Sequence, residues 1–440
     1  MTAEKKVMGR TTAIAGIIIA LLIGLGIGVA VTPSITGPQV VERIVEKTVT
    51  MEKPVGLTGE VLIGALLPLT GDLASYGENS RAAVEIAVGE VNAFLKKSGA
   101  LFTIKLVIED TETKPAPALD KLTSMNARGI KLVVGPQTSA EVRNIKGYAD
   151  ANKILLISQS STAPDLSIPG DFVYRFCPAD DLQAPAIARV ITDLGVKHVV
   201  SAWRGDAWGD GLNREGKKAV EKLGGVFHEG PRYAPEAKEF SAEVRALADQ
   251  VQTLVNQYGA DKVGVYYVAF AEAVTFMTQA ADYPVLARVR WFGSDGTALL
   301  DEMAKSPPTA EFSQKTKMIH PIFWGPLTER LNNLLAALKA KLGRQPDSYA
   351  FAAYDAVWVL TYALLATGKY DAEAVRAVLP QVAASYSGAL GGIVLNEGGD
   401  LAAANYALWV LVPKADKYEW IEAGAWMFAT DSISWVPGFP

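Results

Sequence analysis

From Glu60 to Gly296 the chain alternates between short apolar runs and longer stretches in which apolar residues recur every three or four positions. The run "EVLIGALL" (60–67) has strand length, and "RAAVEIAVGEVNAFLKKSG" behind it sets Val84, Ala87, Val91 and Leu95 on one helical face. "LFTIKLVIED" alternates Phe102, Ile104, Leu106 and Ile108 as a strand does, "PAPALDKLTSMNARG" reads as a helix opened by proline, and "IKLVVGP" is a short β-rich run. "SAEVRNIKGYADAN" reads helical and "KILLISQSS" is another buried strand. A second series follows: strands "KHVVSAWRG", "VFHEGPRY", "KVGVYYVAF" and "VRWFGSDG", separated by the helices "GDGLNREGKKAVEKLGG", "SAEVRALADQVQTLVNQYG" and "AEAVTFMTQAA". Strand and helix in strict turn predict an α/β chain with two doubly wound parallel-sheet lobes, with ligands expected at the carboxyl ends of the strands. After Gly296 the helical stretches "TERLNNLLAALKAKLG" and "SYAFAAYDAVWVLTYALLATG" carry no strands of their own and suit a return to the first lobe. The end of the chain reads as a hairpin around "GGIVLNEGGDLAAANYALWVLVP".

Ahead of this region lies a different pattern. Ala13–Val31, "AIAGIIIALLIGLGIGVAV", is uncharged throughout and as a helix would span roughly 28 Å, the thickness of one bilayer core. Lys5, Lys6 and Arg10 precede it, so residues 1–12 are expected in the cytoplasm and everything beyond Val31 outside. A retained anchor is favoured over a cleaved signal peptide because the apolar run is long and no clean small-residue cleavage site ends it. Residues 32–58, with prolines at both ends and alternating charge between, read as a stalk. The glycines of "GLGIG" have no strand around them and are no dinucleotide fingerprint.

Composition narrows the chemistry. The 440 residues are half hydrophobic, enough for a large core and two or three domains. Lys plus Arg number 42 against 47 for Asp plus Glu, so the net charge of -5 offers no footprint for nucleic acid. One cysteine, Cys177, forms no intramolecular disulfide, and three scattered histidines with it suggest no metal centre and no cofactor. Neither a G-x-S-x-G elbow nor an H-E-x-x-H motif is present, and Gly71 to Gly77 lacks the spacing and lysine of a phosphate loop, so an enzyme is not expected.

Four strand-to-loop junctions share one chemistry: "LTGDLASYG", "VGPQTSAEV", "ISQSSTAPDL" and "FGSDG". Ser139 and Thr162, near helix starts, can donate with adjacent backbone N–H groups to an anion. Asp295, between Gly293 and Gly296, supplies the opposite charge for an ammonium. Serine and threonine at such places also commonly cap helices, and an aspartate on a glycine-flanked turn is commonly a turn residue. Tyr354 in "AAYDAV" reads as core.

These loops, with "AWGDG", "AAYDAV" and "SGALGGIVLNEGGD" in the same order between about Glu60 and Val412, resemble the Leu/Ile/Val-binding family of solute-binding proteins that serve ABC importers. The resemblance implies a type I periplasmic-binding-protein fold, two α/β lobes joined by a three-strand hinge, with residues 59–180 and 297–385 in lobe 1 and 181–296 and 386–440 in lobe 2. It implies an amino acid, branched-chain or otherwise neutral, trapped between the lobes and delivered to a permease with its ATPases. Carried over, Ser139 and Thr162 would bind the α-carboxylate, and Asp295, the Ser160 carbonyl and the Thr162 hydroxyl the α-ammonium. Tyr76, Trp208 and Phe270 would wall the side-chain pocket, with Ser161, Gln137 and Thr138 beside it. Two departures stand out: the family's usual ammonium partner is a glutamate where this chain has the shorter Asp295, and Gln137 and Thr138 replace expected apolar residues. A sensory receptor ectodomain of the same fold is the main alternative, opposed by the dozen residues on the inner side of the membrane; an amide or urea-type ligand is another.

Overall fold

The computed structural model of the protein describes residues 56–439. The expected anchor and most of the stalk lie outside them.

In the first lobe, β1 (Gly59–Leu67), α1 (Ala74–Lys97), β2 (Phe102–Asp110), α2 (Pro115–Ala127), β3 (Leu132–Val134), α3 (Ser139–Asn152), β4 (Leu155–Ser158) and β5 (Val173–Arg175) follow one another. The five strands are parallel in the order β2-β1-β3-β4-β5. β3 and β4 are buried throughout, and apolar but for Ser158, because helices cover both faces of the sheet. β2, at the edge, keeps the alternation of Phe102 and Ile104 buried against exposed Thr103 and Lys105. The first helix starts seven residues before the apolar period announces it. Its first turn takes up Ala74 to Gly77 of the loop, and a Cβ at Gly77 would stand 2.0 Å from the Pro68 carbonyl oxygen, so only glycine lets this turn dock on the end of β1. β5, Val-Tyr-Arg, ends on a charge and continues no apolar run that would announce it.

The second lobe continues with α4 (Asp180–Asp193), β6 (His198–Arg204), α5 (Ala207–Lys222), β7 (Val226–Tyr233), α6 (Ser241–Tyr258), β8 (Val263–Val268), α7 (Ala273–Ala280), β9 (Arg290–Phe292), α8 (Asp301–Lys305), α9 (Pro307–Lys315) and β10 (His320–Trp324). Its parallel sheet runs β7-β6-β8-β9. A parallel bridge from Phe292 to Ile319 brings β10 alongside, where an antiparallel sheet begins. Residues 297–324, expected with the first lobe, therefore pack on the second; the short β10, interrupted by Pro321, gave no period to read.

The chain then recrosses. α10 (Glu329–Leu342), α11 (Tyr349–Thr367) and α12 (Ala372–Ser385) return to the first lobe, with α10 and α11 packed on α1, as their lack of strands suggested. α11 is apolar all round and long enough to cross a membrane, yet 78% of its most apolar window is buried. It is a core helix, and Tyr354, buried on it, donates its hydroxyl to Glu90. A small pair, β11 (Ser387–Gly388) and β12 (Gly391–Gly392), is tied to α11 through Asp355, which accepts the N–H groups of Ala389 and Leu390 at 2.9 and 2.8 Å. The first lobe keeps the chain up to Asp400, which bridges Arg175 of β5. The terminal hairpin lies one strand later than the quoted pattern suggested: β13 (Asn405–Lys414) pairs with β14 (Lys417–Met427), β14 with β15 (Ser432–Trp435), and β13 with β10.

Three passages thus join the lobes, near residues 176–179, 325–328 and 401–404. Between the first and third, Arg175 and Asp400 form a wholly buried, two-pronged ion pair with Nε–Oδ1 at 2.5 Å and an Nη2–Oδ2 bond of 2.6 Å. Breaking such a buried pair from one side typically costs about 3–5 kcal/mol, so it pins these two passages together.

Candidate functional site

The carboxyl ends of both parallel sheets face a common cleft. Leu73, Tyr76, Gln137, Thr138, Ser139, Ser160, Trp208, Phe270, Asp295, Gly296 and Tyr349 line a cavity of about 10 Å³ within it. The lobes are closed on each other. Tyr76, on the first turn of α1, sets its hydroxyl between the carbonyls of Asp295 at 2.8 Å and Ala298 at 2.5 Å, Ser75 donates to Glu302 at 2.7 Å, and the Ala271 N–H reaches the Asp72 carbonyl at 3.3 Å.

The first-lobe wall is built at the start of α3. Thr138 is the N-cap: its hydroxyl accepts the Glu141 N–H at 3.2 Å while the Glu141 carboxylate accepts the Thr138 N–H at 2.7 Å, a reciprocal capping box. Thr138 lines the cavity, and its hydroxyl also serves the cap, donating to Glu141 Oε2 at 2.8 Å. Burial pushes the Glu141 carboxyl up to about 7, against the pull of the Thr111 and Thr138 hydrogen bonds. Ser139, expected as a possible N-cap, is the first helical residue instead. Its Oγ accepts from the Ala163 N–H and the Ser161 hydroxyl, both at 3.1 Å, which leaves its own proton free to donate. Ser160 is on the wall. Ser161 is behind it, its hydroxyl spent on Ser139 and its carbonyl on Arg175 at 3.0 Å, so it supports the wall rather than facing a ligand. Thr162 is buried beside Asp180, whose N–H its carbonyl accepts at 2.9 Å; its Oγ1 has no well-aligned partner among the described residues.

Asp295 dominates the second-lobe wall. Its N–H donates to Gln183 Oε1 at 2.9 Å, its Oδ2 accepts the Tyr349 hydroxyl, and its Oδ1 has no partner among the described residues. Burial raises its pKa, with Tyr349 and Gln183 opposing. Gln183 also donates to Asp180 at 3.1 Å, and burial, then the neighbouring Asp295, holds Asp180 well above the usual carboxylate range. Gln183 thus links the Asp295 backbone N–H to the Asp180 carboxyl, and a cation arriving between the lobes would favour the charged form of Asp295 that burial opposes. Trp208, on the first turn of α5 under the Asp206 cap, stacks on Phe270 with centroids 4.6 Å apart and planes at 17°. A Cβ at Gly296 would meet the Trp208 ring at 2.6 Å and the Phe270 ring at 2.8 Å, so that glycine lets the aromatic pair close over the Asp295 turn.

Tyr349, Gln183 and Asp180 were missed. Tyr349 stands on a helix apolar on every side, where nothing in the period marks a cleft-facing position. Gln183 and Asp180 follow the unannounced β5. A polar residue beside Asp180 and Asp181 at a helix start was the available signal.

Residues 60–413 match the family described as periplasmic binding protein. The chain belongs to that family. Among its relatives, uncharacterized protein MJ1266 of Methanocaldococcus jannaschii is 32% identical over 85% of this chain and 91% of its own. Leu/Ile/Val-binding protein BraC3 of Rhizobium johnstonii is 27% identical over 80% and 91%. Solved structures share the fold: a leucine-binding protein of Thermotoga maritima superposes with TM-score 0.67 at 22% identity over 82% of this chain and 97% of the other. A solute-binding protein from R. palustris in complex with benzoate gives 0.67 at 17% identity over 87% and 99%. The resemblance read from the ordered loops therefore holds at the level of family and fold.

Proposed function

We propose that the protein captures an α-amino acid between its lobes and hands it to an ABC importer. The observation that carries this reading is the opposition, in one cavity, of Asp295 with its unengaged Oδ1 to Ser139 with its unengaged proton. An α-carboxylate suits the Ser139 and Thr162 hydroxyls and the N-terminal end of α3. An α-ammonium suits Asp295, and the Tyr349 hydroxyl on Oδ2 fixes the shorter side chain in place of a glutamate's reach. An aromatic acid such as the benzoate held by the R. palustris protein brings an anion with no cation, and would leave Asp295 buried beside a ring. Ala13–Val31 suits a retained anchor that keeps the binding domain on the outer face, with the permease as the partner that receives the cargo.

Calorimetric titration with the proteinogenic amino acids and with benzoate tests the reading. Saturable binding of an amino acid, absent for its α-deaminated acid, is expected; tighter binding of benzoate overturns it. Carbonate washing of membranes tests the anchor: full-length protein is expected to stay with the membrane fraction, and a mature chain starting beyond Val31 overturns that part.

A further inference from the structure

Gln137 sits between β3 and α3, fully buried, and lines the cavity with Tyr76, Trp208, Phe270 and Tyr349. Its Oε1 accepts from Gln159 Nε2 at 3.2 Å, and its Nε2 has no partner among the described residues. Turning both amides over exchanges the two roles: Gln137 Nε2 then donates to Gln159, and Gln137 Oε1 is the atom left over. Either way Gln137, wholly buried and part of the cavity lining, keeps one unmatched polar atom, as Gln159 does. Native interiors seldom tolerate that, because the group has given up water without gaining a partner.

An aliphatic ligand side chain laid against this wall would keep the amide unmatched, whereas a hydroxyl or carboxamide, able both to donate and to accept, would satisfy it in either orientation. Size acts in the same direction. The closed cleft encloses only about 10 Å³, room for about one water, so any amino acid must part the lobes to enter and a larger side chain must part them more. A short side chain requires the least displacement.

We propose that Gln137 makes this cleft selective for neutral amino acids with a short side chain ending in a hydroxyl or carboxamide, in preference to branched-chain aliphatic ones. The inference rests on the amino-acid reading above and specifies the side chain that reading leaves open. Gln137 is the specificity-determining residue, while the Asp295 and Ser139 contacts are common to every amino acid.

The experiment is calorimetric competition on the wild-type protein among serine, threonine, asparagine and glutamine on one side and leucine, isoleucine and valine on the other. Repetition with Gln137→Leu completes it. The best polar ligand is expected to bind about tenfold more tightly than the best aliphatic one, and Gln137→Leu to reverse the order. Wild-type preference for leucine, isoleucine or valine overturns the proposal and leaves the amino-acid reading standing. If no amino acid binds at millimolar concentration, that reading fails and this one with it. The wild-type comparison decides the matter alone should Gln137→Leu not fold; if it folds and keeps the polar preference, Gln137 is not the determinant.

Discussion

The two walls of the cleft meet the same small volume with different chemistry. The first-lobe wall offers Ser139, Ser160 and Gln137 at the end of a parallel sheet and the start of α3, all neutral and none titrating in the ordinary pH range. The second-lobe wall offers Asp295, with Asp180 behind it, under a stacked Trp208 and Phe270. One wall works through dipoles and donors, the other through a buried charge, so the two ends of a zwitterion should respond differently to pH and to mutation.

The largest effect belongs to the charged wall. Asp295→Ala should leave an ammonium unpaired in a closed cleft, a loss of about 2–5 kcal/mol by comparison with buried charge pairs at interfaces, or a Kd raised about thirty-fold or more. Binding within threefold of wild type, measured by calorimetry, would remove Asp295 from the ammonium role. Beneath the neutral wall lies a carboxyl whose effect is on stability. Glu141 is shifted by burial from 4.5 to about 7, so the folded state holds a proton that the unfolded chain has released. Stability should therefore fall as pH rises from about 4.5 to 7, by about 3 kcal/mol, and then level off. Glu141→Gln, which can still complete the capping box, should flatten that part of the curve in urea unfolding; an unchanged slope would show that the carboxyl titrates normally.

Next comes the pH dependence of binding. Because burial raises Asp295, acidification protonates it before an exposed aspartate, and affinity should fall as pH drops through its range, by at most about tenfold per pH unit. Titration of an Asp295→Asn variant should show a much flatter profile. On the neutral wall Ser139→Ala should cost about 1 kcal/mol of binding, roughly fivefold in Kd, with no change in pH profile. Thr138→Ala should lower unfolding stability by about 1 kcal/mol through loss of the cap while Kd changes little. A binding defect as large as that of Ser139→Ala would show that Thr138 also serves the ligand.

How much of this was legible follows from the length of each pattern. α3 and β7 have the bounds the sequence suggests, since Ser139–Asn152 keeps a helical period and Val226–Tyr233 a strand's composition over several residues. β5 ends on the charged Arg175 and β10 carries Pro321 after its first residue, so neither continues an apolar run as β3 does, and their loss moved the lobe boundary at 297–324. The ordered junction loops identified the cleft, and Asp295, Ser139, Trp208, Phe270, Tyr76 and Gln137 meet there. Ser161 shares those loops but is absent from the lining, because a one-residue step turns its side chain from the cavity to a supporting bond with Ser139, and loop sequence carries no alternation from which to read it. Tyr349 was hidden for the opposite reason, since a helix buried on every side gives all its positions the same appearance.

The ion pair between Arg175 and Asp400 also sets an order of events during synthesis. Its partners are 225 positions apart, so at about 5–20 residues per second the arginine waits roughly 11–45 s for its carboxylate to be made. All five strands of the first sheet are complete by then, yet the cation at the end of the last one has nothing to neutralise it and cannot be buried without a large desolvation cost. The first sheet is finished early and locked late: until Asp400 is made, the guanidinium has the Ser161 and Ala163 carbonyls as partners but no counter-charge.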